Sequence, residues 1–195
     1  TADGLSRTLL LYPESRVIPV PEGVDLEVAA LTEPLSIALN AFEVAAISEN
    51  EEVAVIGDGP IGYMTALTTS CVGGLPGENL YLIGIIDEKL SLARDFSTTL
   101  NSLREKQRLE ALQQSFDVAF EAVGGRSQGI TLDEAIDLLK PGGRCIVLGL
   151  SGEKVPVDIN RLVNKGLALK GSVRSRMEHF RRVIELLKDA NFMGK

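Results

Sequence analysis

Val53-Ala54-Val55-Ile56-Gly57-Asp58-Gly59-Pro60-Ile61-Gly62-Tyr63 runs four apolar residues straight into a Gly-x-Gly-x-x-Gly pattern and then into a helix-like segment. The stretch reads as strand, turn, helix. Each glycine has its own task in such a unit: Gly57 permits the tight turn, Gly59 lets the main chain approach a pyrophosphate, and Gly62 lets the helix pack closely on the strand. Phosphates would then face free N–H groups at the helix N-terminus, where aligned peptide dipoles favour negative charge. Gly57, Asp58, Gly59, Pro60, Ile61 and Gly62 are therefore candidate cofactor contacts.

A glycine triplet alone is a weak sign, so the surrounding pattern decides. Residues 80–86 form a second, continuously apolar run, as parallel strands buried on both faces tend to do. Residues 98–100, 116–121, 144–149 and 167–171 supply further strands, and helical stretches at 61–72, 90–96, 103–112, 130–140, 158–164 and 177–189 lie between or after them. In this reading Pro141-Gly142-Gly143 stops one helix and Asp87 caps another. Strands alternating with helices imply an α/β fold, a doubly wound parallel sheet of six strands. Upstream, residues 8–11 and 16–20 read as two short β-like runs, Asp25 as a helix cap, and Thr32-Glu33-Pro34 as the meeting point of two helical pieces.

Ligands of such sheets bind outside the carboxyl ends of the strands. That rule selects the Gly57 turn, Gly84, Val123-Gly124, Leu148-Gly149 and Gly171-Ser172. Glycine recurs at each of these strand ends, which would leave room for a flat ligand.

Composition removes several alternatives. The formal charge of −7 and pI near 4.9 argue against a nucleic-acid partner, which requires clustered Lys and Arg. The apolar runs are far shorter than the ~18 residues of a membrane span, and a cytosolic protein is expected. Cys71 and Cys145 stand far apart without CxxC spacing and read as buried apolar thiols.

Two ligand classes compete for this pattern, dinucleotides and S-adenosylmethionine. The Gly-x-Gly-x-x-Gly spacing, the third glycine inside the helix start, the sixth strand and the lack of an acid ending the second strand favour the dinucleotide. A carboxylate at that last position usually accepts the ribose hydroxyls of NAD. Gly84 stands there instead, leaving space for the 2′-phosphate of NADP, with Lys89 or Arg94 to neutralise it. NADP(H) is expected over NAD(H); the alternative is a shifted register in which Asp87 binds ribose.

The chain resembles the medium-chain dehydrogenase/reductase family of zinc alcohol and polyol dehydrogenases. The marks are Val20-Pro21-Glu22-Gly23, Ala29-Ala30-Leu31-Thr32-Glu33-Pro34-Leu35, the Gly57–Gly62 turn, residues 116–125 and Leu139-Lys140-Pro141-Gly142-Gly143. A narrower similarity, to reductases that make ribitol phosphate, rests on Gly57-Asp58-Gly59 with Gly62-Tyr63, Gly124-Gly125-Arg126-Ser127-Gln128 and Gly171-Ser172 with Arg174-Ser175. The resemblance implies NAD(P)-dependent hydride transfer to a polyol or sugar phosphate, with zinc as Lewis acid, in a homodimer or tetramer paired through residues 162–170. It places Glu33 where polyol dehydrogenases offer a carboxylate to the metal. It also implies that residues 1–24 are a remnant of a catalytic domain and linker, and residues 25–195 a cofactor-binding domain that would be inactive alone. The family's remaining zinc ligands, a Cys and a His-Glu pair, would lie outside this chain. Asn40 stands where many relatives carry His, and His179 reads as structural.

Overall fold

In the computed structural model, residues 8–194 are described. The first helices are α1 (Leu26–Ala29) and α2 (Thr32–Ala45), followed by β1 (Val53–Ile56), α3 (Pro60–Cys71), β2 (Leu80–Gly84), α4 (Asp87–Ser91), β3 (Thr98–Asn101) and α5 (Lys106–Ala111). The second half runs β4 (Phe116–Glu121), α6 (Gln128–Leu138), β5 (Leu139–Val147), α7 (Ile159–Lys165), β6 (Ala168–Gly171), α8 (Met177–Leu186) and α9 (Ala190–Met193). The six strands form one sheet in the order β3-β2-β1-β4-β5-β6, with every pairing parallel. The expected doubly wound fold is present. The strand order reverses between β1 and β4, which creates a crevice at their carboxyl ends.

Side-chain alternation along the central strands divides the core into two layers. Val53 and Val55 of β1, with Val118 and Phe120 of β4, pack under α2, α3 and α8. Ala54 and Ile56, with Phe116 and Ala119, pack under α6 on the opposite face. All four β1 residues are buried, which explains why that strand reads as an unbroken apolar run. Asp25 caps α1 by accepting the Glu27 N–H at 2.7 Å, and Pro34 sits in the first turn of α2, where its missing N–H costs nothing.

Several boundaries differ from the sequence reading. Residues 8–20 form no strand; Glu14–Arg16 is a 3₁₀ turn, and these residues pair with no neighbouring strand. α6 ends at Leu138, not at 140, and β5 begins at Leu139, so Lys140-Pro141-Gly142-Gly143 belongs to the strand. A register shift against β4 absorbs those residues, and Lys140 Nζ anchors them through Asp117 at 2.7 Å. β2 ends at Gly84 and not at 86. Asp87 is not the cap of α4: it is the helix's first residue, and its carboxylate accepts from Asn101 Nδ2 at 2.5 Å.

Candidate functional site

The glycine turn joins β1 to α3 at the crevice. Gly57 adopts φ +126° and donates its N–H to Ile83 O at 2.8 Å, so the turn is tied to β2. A Cβ on Gly62 would lie 1.8 Å from Gly57 O; helix and strand touch through that missing atom. Gly59 has the opposite surroundings, with no described atom beyond its own chain neighbours within 4 Å of its Cβ position. No acid occupies the first turn of α3 and no side chain caps it. Its leading N–H groups thus face open space beneath a positive helix end, which fits a pyrophosphate.

Beside this turn lies a cavity of about 310 Å³ reaching from Gly84 and Ile85 across Gly57 to Val123 and Ile130. That volume is at the small end of the range for ligand sites. At its β2 end the space beside Gly84 is filled. The Asp58 side chain packs there: a Cβ on Gly84 would meet Asp58 Cβ and Oδ2 at 2.6 Å each. Asp58 Oδ2 accepts the N–H groups of Ile85 and Ile86, both at 2.7 Å. The vacant volume on which NADP(H) was expected is therefore occupied by a carboxylate. Lys89 and Arg94 are exposed and do not line the cavity. Asp87, the alternative ribose ligand, is engaged by Arg104 and Asn101.

At the other end of the crevice a fully buried carboxylate, Glu121, organises two strand ends. Its Oε1 accepts the N–H groups of Val123 at 3.0 Å and Gly124 at 3.2 Å, while its main-chain oxygen accepts Leu148 and Gly149 at 2.8 and 3.1 Å. Gln128 Nε2 bridges Glu121 Oε2 at 3.1 Å and Gly149 O at 2.6 Å. Val123, Gly124, Leu148 and Gly149 are thus brought together around Glu121, with Val123 lining the crevice cavity, and Glu121 is the residue that sequence reasoning missed. An ionisable side chain closing an otherwise apolar strand was the available signal.

Ser172 follows β6 and donates its N–H to Val147 O at 2.9 Å. Asn40 Nδ2 donates to Ser172 Oγ at 2.9 Å, and Ser36 Oγ donates to Ser175 Oγ at 2.8 Å. Asn40 therefore braces α2 against the segment after β6. Glu33 sits exposed in the first turn of α2, bordering a cavity of about 600 Å³ shared with Tyr12, Ile18, Phe180 and Ile184. Among the described residues no cluster of three metal-ligating side chains exists, so Glu33 could supply one ligand but these residues do not make a zinc site. His179 is buried in a joint between α8 and α2: Nδ1 accepts the Arg176 N–H at 3.0 Å and Nε2 lies 3.0 Å from Glu43 Oε2. That partnering agrees with a structural histidine.

Comparison with known proteins places these features in context. Residues 60–189 match the model of the zinc-binding dehydrogenase family. Ribulose-5-phosphate reductase 1 of Staphylococcus aureus is 34% identical over 187 residues, which is 94% of this chain and 53% of that protein. The crystal structure of S. aureus TarJ in complex with NADPH superposes with a TM-score of 0.79 at 32% identity, covering 95% of this chain and 57% of that one. An alcohol dehydrogenase (rspB) from E. coli complexed with NADH gives 0.76 at 26% identity, over 91% of this chain and 52% of its own. The chain spans about half the length of the curated relatives it matches. With the six-stranded sheet, the glycine turn and this match together, the chain belongs to the zinc-binding dehydrogenase family.

Proposed function

We propose that this chain is the cofactor-holding part of an NAD(P)(H)-dependent oxidoreductase acting on a polyol or sugar phosphate, of the kind that interconverts ribulose 5-phosphate and ribitol 5-phosphate. The observation that carries the reading is the open space over Gly59 at the switch point, bounded by the uncapped first turn of α3. The dinucleotide, when bound, supplies or accepts a hydride. The chain's own residues hold it: the α3 N-terminus takes the pyrophosphate, the β2 end takes the adenosine half, and the strand ends joined by Glu121 form the floor of the nicotinamide half. Ser172, fixed by Asn40, closes that floor.

Support for NADP(H) as the cofactor comes from the NADPH complex of the S. aureus relative. Support for NAD(H) comes from the NADH complex of the E. coli relative and from the carboxylate beside Gly84. Zinc in the whole protein would need ligands beyond the described residues, with Glu33 as one contributor. Residues 1–24 are proposed to belong with the catalytic part. Leu9 and Leu11 are almost fully exposed, and the apolar cavity beside Glu33 is where that part would pack. The exposed residues of β6 suit pairing with a second copy, in a homodimer or a tetramer. No helix of the described residues is long and apolar enough to cross a membrane, which suits a cytoplasmic enzyme. Titration with NADH and NADPH, followed by nicotinamide fluorescence, tests the reading: saturable binding of at least one is expected, and absence of both would refute it.

A further inference from the structure

Among the described residues Glu121, the last residue of β4, is the only carboxylate that is fully buried. Each of its bonded partners is a donor. Oε1 accepts the Val123 and Gly124 N–H groups and the Thr131 hydroxyl, the last at 2.8 Å, while Oε2 accepts from Gln128 Nε2. Four donors converging on one carboxyl suit its ionised form, which has only acceptors to offer. Yet no Lys, Arg or His among the described residues pairs with it. A buried charge ordinarily has a charged partner; this one is held by neutral donors alone.

Its charge lies directly behind the strand ends assigned to the nicotinamide half of the cofactor. Val123, whose N–H it takes, lines the crevice cavity, and a Cβ on Gly149 would stand 2.5 Å from Glu121 Oε2, so the carboxylate sits against the end of β5 where only a glycine leaves room. Among the described residues no Lys, Arg or His lines that cavity; Asp58 and Glu134, the acids that do, are half-buried and partly screened by water. Glu121 is sealed from solvent, so its field crosses protein of low effective dielectric. One neighbour already registers it: burial, and then Glu121, push the Cys145 thiol up to about 12. A nicotinamide ring would register it too, because the oxidised ring is a cation and the reduced ring is neutral, while the rest of the dinucleotide is the same in both.

We infer that Glu121 tunes the cofactor site electrostatically: its buried carboxylate, without a counter-ion, favours the cationic oxidised nicotinamide over the neutral reduced one. It acts through the main chain of Val123, Gly124 and Gly149, without touching the ring. The inference rests on the dinucleotide reading above.

The test uses the whole protein and measures, by titration calorimetry, the dissociation constants of the oxidised and reduced forms of one dinucleotide, NAD+ with NADH or NADP+ with NADPH, whichever pair the parent binds. Damage to the fold weakens both forms alike, so the oxidised-to-reduced ratio isolates the charge on the ring. Glu121→Gln preserves shape and removes the charge; the ratio is expected to rise about tenfold (about 1.4 kcal/mol). Glu121→Asp retains the charge on a shorter side chain, and its ratio should stay within about threefold of the parent, even where both forms bind more weakly. Gln128→Lys leaves Glu121 in place and brings an ammonium to its Oε2; it should raise the ratio as Glu121→Gln does, and it carries the test if that variant does not fold. Equal weakening of both forms, with the ratio unchanged in Glu121→Gln or in Gln128→Lys, would overturn the assignment. If the parent binds no dinucleotide in either form, it is the dinucleotide reading itself that fails.

Discussion

Gly59 and Gly62 lie three residues apart in one turn, and their opposite surroundings allow their roles to be separated experimentally. Gly62→Ala would place a methyl carbon 1.8 Å from Gly57 O and 2.8 Å from Gly57 C. Both atoms are main chain, so α3 must move away from β1 or the turn must open. Overpacking of this severity belongs at the top of the usual range, about 3 kcal/mol. For a chain of this size, where 1 kcal/mol shifts melting by roughly 2–4 °C, the expected fall in Tm is about 6–12 °C. Gly59→Ala adds the same methyl where no atom beyond its own chain neighbours lies within 4 Å. Its cost is that of a poorer helix cap, under about 1 kcal/mol, so the cofactor-free protein should melt within about 4 °C of the parent. Its effect should appear on adding cofactor: a methyl in the pyrophosphate's path should weaken NADH and NADPH alike by at least about tenfold, or 1.4 kcal/mol. Calorimetric melting without cofactor, paired with fluorescence titration, reads both. A Gly59→Ala protein that binds normally would refute the phosphate cradle, and a Gly62→Ala protein as stable as the parent would refute the close strand–helix contact.

Three other substitutions or treatments give separate outcomes. Glu121→Gln leaves a single acceptor oxygen for the Val123, Gly124 and Gln128 donors; a cost of about 2 kcal/mol to stability and weaker binding of both dinucleotides are expected in melting and titration. Arg144 Nη2 bonds Glu51 Oε2 at 2.6 Å and holds that carboxyl below its ordinary range. A carboxylate whose folded value is depressed contributes fully above the unfolded value of about 4.3, and the contribution is lost as pH falls through the folded value. Glu51→Gln should therefore cost about 1 kcal/mol at pH 7 and progressively less below about pH 4 in urea unfolding. Burial, and then the nearby Glu121, pushes the Cys145 thiol up to about 12, so iodoacetamide at pH 8 should leave Cys145 unmodified in the native protein and alkylate it after denaturation.

The sequence conveyed the central architecture because β1, β2 and β4 are buried on both faces and therefore read as apolar runs. Its misreadings are tertiary in origin. Ile85 and Ile86 extend the apolar run of β2, but Asp58, far away in the chain, takes their N–H groups and ends the strand at Gly84. Pro141-Gly142-Gly143 reads as a stop, yet a register shift accommodates it within β5. The β-like runs of residues 8–20 have the composition of strands and no strand beside them. At the site, Gly57 and Gly124 were legible because their turns need a positive φ locally. The roles of Asp58 and Glu121 were not, because both act by accepting main-chain N–H groups whose positions only the fold supplies.

Amide hydrogen exchange, measured with and without saturating NADH or NADPH, tests most directly whether the glycine turn is the cofactor cradle. Protection on binding is expected at residues 58–62, 123–124 and 148–149, with the remaining sheet unchanged. Protection confined to other segments, or none despite saturation, would contradict it.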